Sequence, residues 1–195
     1  MSAETGFGDL LALWNQNWSP CPPVAHMLRA VHPGRWVRFH SLPDSQRYPD
    51  DDAEMAIVLE RHYTVLAELF EGDEILVMTS TWSTDAALAE LPEQEAANGG
   101  VLWTSFLSND DADPEFRLHT HRYVRRTAWH QGSLDVLLRA VATWETSDVM
   151  ISDVDLSRIY HPYDGGADVL LRDYAERDEL RARHAAWLSP HPGGL

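Results

Sequence analysis

The chain of 195 residues contains no lysine: all fifteen of its basic residues are arginine. That absence excludes a phosphate-binding loop of the G-x-x-x-x-G-K-[ST] type, a Schiff-base lysine for pyridoxal phosphate and the strand lysine of kinases. Cysteine is almost absent as well. Cys21 stands alone, so neither an internal disulfide nor an all-cysteine zinc site can form, and a reducing compartment suits the composition. No run of about 18 apolar residues exists to span a bilayer, and Met1 to Gly8 lacks the basic and apolar stretches of a secretion signal. Neither H-E-x-x-H nor G-x-S-x-G occurs, and Gly6-Phe7-Gly8 lacks the third glycine and the preceding strand of a dinucleotide fingerprint. A cytoplasmic location is expected.

Apolar residues are plentiful, at 44% with eight tryptophans, which is enough for a packed core. The length fits a single globular domain over 1–195, with 1–34 as an N-terminal helical segment packed on it. Thirty-one acids against fifteen arginines give a net charge of −16. The excess is not spread evenly: residues 1–40, 41–115 and 116–195 carry nets of +1, −16 and −1. All of it falls in the middle segment, as Asp50-Asp51-Asp52, Glu71 to Glu74, Glu90 to Glu95 and Asp110-Asp111-Ala112-Asp113. Acids of this kind collect in solvated loops and helix starts. Gathered on one face, they would steer a basic protein partner and disfavour nucleic acid, whose phosphates need a basic surface.

Hydrophobic periodicity predicts short helices over 8–15 and 24–31, separated by the breaker Ser19-Pro20-Cys21-Pro22-Pro23. Arg35 to His40 alternates with period two, placing Trp36, Arg38 and His40 on one face of a strand and Val37 and Phe39 on the other. Asp51-x-x-Glu54 reads as a capping box opening a helix over 53–70 that Gly72 ends. Strands are predicted over 74–82, 101–107 and 116–129, with a short helix and an exposed loop over 84–100. Ser133 reads as the N-cap of a helix with the stripe Leu134, Leu137, Leu138, Val141 and Trp144. Short strands over 149–151, 158–160 and 167–171 follow, the last two joined by Asp164-Gly165-Gly166, a turn expected to use positive φ. Asp173-x-x-Glu176 caps a final helix through Trp187. The order favours an α+β fold, a largely antiparallel β-sheet covered by two or three helices, over a doubly wound α/β alternative.

The strings His40-Ser41-Leu42-Pro43-Asp44-Ser45-Gln46-Arg47-Tyr48, Arg61-His62, Tyr160-His161-Pro162-Tyr163-Asp164-Gly165-Gly166-Ala167-Asp168 and Trp187-Leu188-Ser189 together resemble a bacterial family, domain of unknown function 3885. The resemblance runs from about Trp36 to the C-terminus and implies a bacterial, single-domain, intracellular protein. It transfers no catalytic residue.

Three constellations carry chemistry. His119-Thr120-His121 puts two imidazoles on one strand face, a metal-ligand spacing that needs Asp153, Asp155, His161, Asp164 or Asp168 to converge on it. A hairpin histidine and two acids, His161, Asp164 and Asp168, have the composition of a proton carrier with an acid and base pair, although an Asp in a turn more often bonds its own backbone. His62 and His184 sit in apolar stripes as core histidines; alternatively His62 and Arg61 join Arg47 to bind an anion. The leading expectation is an interaction module of the immunity or inhibitor type, using Asp50, Asp51, Asp52, Asp110, Asp111 and Asp113. The other is a small metal-assisted hydrolase. No cofactor, nucleic acid or membrane partner is expected, and a homodimer remains open.

Overall fold

A computed structural model describes residues 9–70, 74–87, 92–93, 100–111 and 113–189. Among them the elements run α1 (Leu10–Trp18), α2 (Ala25–Val31), β1 (Trp36–His40), α3 (Asp52–Phe70), β2 (Glu74–Ser83), β3 (Val101–Asn109) and β4 (Leu118–Ala128). Then follow α4 (Asp135–Ala142), β5 (Met150–Asp153), β6 (Ile159–Tyr163), β7 (Gly166–Leu170) and α5 (Tyr174–Arg183). The strands form one sheet in the order β1-β7-β6-β5-β2-β4-β3, and every neighbouring pair is antiparallel. The fold is therefore α+β. The doubly wound alternative fails because it requires parallel neighbours joined by crossover helices.

Helices cover both faces, more of them than the two or three expected. Side chains alternate along each strand, so each face builds its own core. Val37, Phe39, Ile75, Val77, Ile151, Tyr160 and Val169 face α3, α4 and α5. Leu76, Met78, Val124, Met150, Ile159 and Leu170 face α1 and α2, where Trp14, Trp18 and Leu28 are fully buried. The N-terminal tryptophans thus bury against this sheet.

Local signals explain most of the element boundaries. The Asp51 carboxylate accepts from Glu54 N (2.9 Å) and Glu54 Oε2 accepts from Asp50 N (2.7 Å), the reciprocal arrangement that starts α3. Asp173 accepts from Glu176 N in the same way (2.9 Å) to start α5, which ends at Arg183 before a 3-10 turn over Ala185–Trp187. Gly72, expected to end α3, lies outside the described residues, as do Glu71, Asp73, Glu90 and Glu95.

Three expectations are corrected. Ser133 does not cap α4; the Tyr63 hydroxyl accepts from Leu134 N (3.1 Å) and donates to Asp135 (2.6 Å), so a side chain from α3 does the work. Trp144 does not extend the buried stripe, because α4 ends at Ala142 and Trp144 turns outward at φ 63°, with 61% of its surface exposed. The hairpin at Asp164-Gly165 forms as expected, yet neither Gly165 nor Gly166 adopts a left-handed φ. A Cβ on Gly166 would lie 2.1 Å from the Phe39 carbonyl oxygen of the adjoining strand, so close approach is what requires glycine there.

Candidate functional site

The strand directions gather chain segments from distant parts of the sequence at one end of the sheet. The C-termini of β1, β2, β3 and β6 and the N-termini of β4, β5 and β7 all lie there. Between this end and α2 opens a cavity of about 580 Å³. Its apolar wall comes from Met27 of α2, Trp82 of β2, Phe106 of β3 and Trp144 of the α4–β5 connection. Its polar lining includes Thr120, Asp148, His161 and Asp164.

A buried ion pair supports it. Arg122 is fully buried, and its Nη2 donates to Asp148 Oδ2 at 2.8 Å and to the Pro23 carbonyl at 2.6 Å, while Nη1 donates to the Asp148 carbonyl at 2.7 Å. Burial pushes the Arg122 pKa down and Asp148 opposes that shift. Ser80 Oγ donates to the same Asp148 oxygen (2.9 Å). The other carboxylate oxygen, Oδ1, is buried and has no hydrogen-bond partner. His161 Nδ1 donates to the Val149 carbonyl (2.7 Å), which leaves the lone pair of the neutral ring on Nε2. Burial holds its pKa below the usual value, so the ring is neutral near pH 7.

The backbone around the cavity is unusual. Five non-glycine residues among those described have positive φ, and four of them, Asp44, Ser45, Trp144 and Asp148, lie in the two loops that reach this end. Left-handed conformations of L-residues cost about 1–2 kcal/mol each and persist where surrounding contacts enforce them.

The residues expected to act together are dispersed. Asp164 accepts at Oδ2 from Arg47 Nε and the Tyr48 hydroxyl, both at 2.7 Å. Asp168 holds Arg38 through both oxygens, at 2.7 and 3.0 Å, with Arg29 at 3.7 Å. The two acids are thus committed to arginines rather than paired as acid and base. Arg47 is bound to Asp164, Arg61 donates to the His40 carbonyl (2.9 Å), and His62 is buried with Nδ1 on the Tyr160 hydroxyl (2.6 Å). They form no shared anion cleft. His184 bonds Glu68 (2.7 Å) and stacks on Trp187.

His119 and His121 do share a face, as the alternation required. It is the face opposite His161, as the pairing across β4, β2, β5 and β6 shows, and both His121 nitrogens are used by Ser83 and Ser105 at 2.8 Å. Asp153 and Asp155 lie at the other end of the sheet, where Asp153 accepts from Ser157 N (2.6 Å) and from the Ser157 hydroxyl. Among the described residues no three His, Cys, Asp or Glu side chains are placed to hold a metal ion. The expected histidine and aspartate cluster therefore does not assemble. Cys21 is buried, and burial pushes its thiol up to about 11, which keeps it protonated.

Sequence reasoning missed Arg122, Asp148, Trp82, Phe106 and Met27 as members of one site. No spacing links them; only the register of the sheet does.

These features describe an α+β protein with a ligand-sized cavity at one end of an antiparallel sheet. The chain belongs to the family described as Domain of unknown function (DUF3885), whose model matches residues 24–192. That span covers the whole sheet and begins just before α2, leaving α1 outside it. No curated protein and no solved structure matches the chain. Among the described residues no helix is long and apolar enough to cross a membrane.

Proposed function

We propose that the protein is an interaction module that engages a basic protein partner through the acidic end of its sheet, an immunity or inhibitor protein being the concrete form. One observation carries this reading. Asp50, Asp51 and Asp52 open α3, Asp110, Asp111 and Asp113 lie between β3 and β4, and both stretches emerge at the cavity end. Within the second stretch Arg117 approaches Asp110 at 3.5 Å, an exposed pair that leaves most of the negative charge unscreened. Charge of one sign gathered at one end raises the encounter rate with a cationic surface and makes it salt-dependent.

The test is capture of basic proteins at low and at high salt by the natural chain and by a variant with all six acids changed to Asn. Asp51→Asn keeps an oxygen for the α3 cap, so the fold is preserved. Capture that falls with salt and falls in the variant supports the reading. Capture unchanged in the variant removes these six residues from the interface.

A further inference from the structure

The cavity is long rather than round. His161 of β6, Trp82 of β2, Thr120 of β4 and Phe106 of β3 line it from one face of the sheet, facing Met27 of α2. Since β5, β2 and β4 separate β6 from β3, a strand spacing of about 4.8 Å makes the span about 19 Å. Spread over that length, the volume of about 580 Å³ leaves a mean cross-section of about 30 Å². Such a channel admits one extended hydrocarbon chain and not two side by side. No single amino-acid side chain of a partner reaches across it, so the occupant that fits is a free molecule. We propose that the cavity binds an uncharged, chain-like molecule with a hydrogen-bond-donating end, a medium-chain alcohol being the simplest example.

The absence of charge on the ligand follows from the lining. Asp148 holds Arg122, and its remaining carboxylate oxygen is sealed inside the protein. Asp164 holds Arg47, whose guanidinium also lies 5.8 Å from the centre of the Trp144 ring. The chain has no lysine, and among the described residues no arginine lines the cavity. An ionised head group would therefore surrender its water without gaining a counter-charge. What the cavity does offer is an acceptor. His161 is only 8% exposed and lines the space; with Nδ1 fixed on the Val149 carbonyl, its Nε2 lone pair has no partner in the protein. Unlike the Asp148 oxygen, that nitrogen is not sealed off. An O–H or N–H at the end of the ligand completes it. Met27, Trp82 and Phe106 give the rest of the channel an apolar wall for the chain.

The cavity residues are distinct from the six rim acids, so this inference and the interaction reading fail separately.

The test is calorimetric titration of the full chain with 1-octanol, methyl heptyl ether, octylammonium and octanoate, four probes of similar length. 1-Octanol is expected to bind about tenfold more tightly than the ether, which cannot donate to His161, and than either ion. From 1-hexanol to 1-decanol, each added methylene should tighten binding about three- to fourfold. His161→Phe should abolish the preference for alcohol over ether. Because it also strips the Val149 carbonyl of its donor, a second variant stands beside it at a partly exposed position of the edge strand. Phe106→Ala, at the far end of the channel, should weaken 1-decanol about fivefold and leave 1-hexanol unchanged, a difference that a general loss of folding does not produce. Any of four results overturns the proposal: no heat with millimolar 1-octanol, equal or tighter binding of the ether or of either ion, an affinity gain that stops at 1-hexanol, or unchanged 1-decanol affinity in Phe106→Ala.

Discussion

The two ends of the sheet are built from the same kinds of residue and treat them differently. At the end away from the cavity the charged groups are matched, while two indole N–H groups, of Trp36 and Trp129, are buried there without partners. Trp18 Nε1 donates to the Leu156 carbonyl (2.7 Å), Arg35 reaches the carbonyls of Leu171 (2.6 Å) and Asn17 (2.8 Å), and its guanidinium lies 3.8 Å from the Trp18 ring centre. Asp153 is surrounded by Ser157 and Arg158, and Glu176 by Arg158 and Arg172. At the cavity end Asp148 Oδ1 and Arg122 Nε are buried without partners, Trp82 and Trp144 are exposed, and four residues hold left-handed backbone. The cavity end differs in leaving charged groups, a carboxylate oxygen and a guanidinium nitrogen, unsatisfied and in holding four of the five left-handed non-glycine residues described, the pattern associated with sites that meet something else.

The sharpest way to break this contrast is to remove the charge that holds Arg122. Asp148→Ala leaves a fully buried guanidinium with only carbonyl acceptors, and should cost about 3–5 kcal/mol in urea unfolding. The double variant Arg122→Met with Asp148→Asn should recover most of that loss, since an apolar replacement needs no counter-charge. If the single variant costs under 1 kcal/mol, the pair does not hold this end together. Next in size is Leu156→Gly at the matched end. Leu156 has φ 52°, so glycine relieves strain there, but its side chain is wholly buried. Loss of that packing should dominate, leaving a net cost of roughly 2–4 kcal/mol.

Acid offers a third test. Burial pushes the His62 pKa down from 6.5 to about 4. Below pH 6.5 the unfolded chain therefore takes up a proton that the folded chain refuses. The stabilisation is complete above pH 6.5 and is lost as pH falls toward 4, for a total of roughly 3 kcal/mol. His161, held down by burial on β6 beside Tyr160, the residue that His62 bonds, adds a loss of the same sign. Unfolding curves at pH 7.5 and 4.5 for the natural chain, His62→Gln and His161→Gln divide the effect between the core and the cavity end. A His62→Gln variant as acid-sensitive as its parent would show that His62 is not the responsible group.

What the sequence discloses divides along the same line. The matched end and the core were legible, because caps and alternation are local: Asp51 with Glu54, Asp173 with Glu176 and the two faces of β1 are each settled within six residues. The hairpin at Asp164-Gly165 was legible too, but its reason was not, since Gly166 answers to the Phe39 carbonyl on a strand distant in sequence. The cavity was illegible for the same cause. Arg122 and Asp148 come from different elements, and composition treats both as surface charges. Trp144 matched a helical stripe whose helix had already ended. Alternation places the two histidines of β4 on one face, and only the register reveals that the His121 ring is held between Ser83 and Ser105.

The smallest expected effect is the most discriminating, because its sign is unusual. Asp44 and Ser45 have φ of 55° and 60°, and both are exposed in the loop between β1 and α3. Glycine at an exposed left-handed position removes the steric cost of the Cβ and sacrifices little packing, although it also adds entropy to the unfolded chain. Ser45→Gly should therefore stabilise the protein by about 0.5–1 kcal/mol. Leu156→Gly, at nearly the same φ, should move the opposite way. Thermal melts of the two variants side by side decide the point. If Ser45→Gly lowers the melting temperature, the backbone there is not strained, and the cavity end loses one of the features that set it apart. If it raises the temperature, strain at that end is kept at a cost in stability that a single substitution relieves, and its retention then calls for a functional reason.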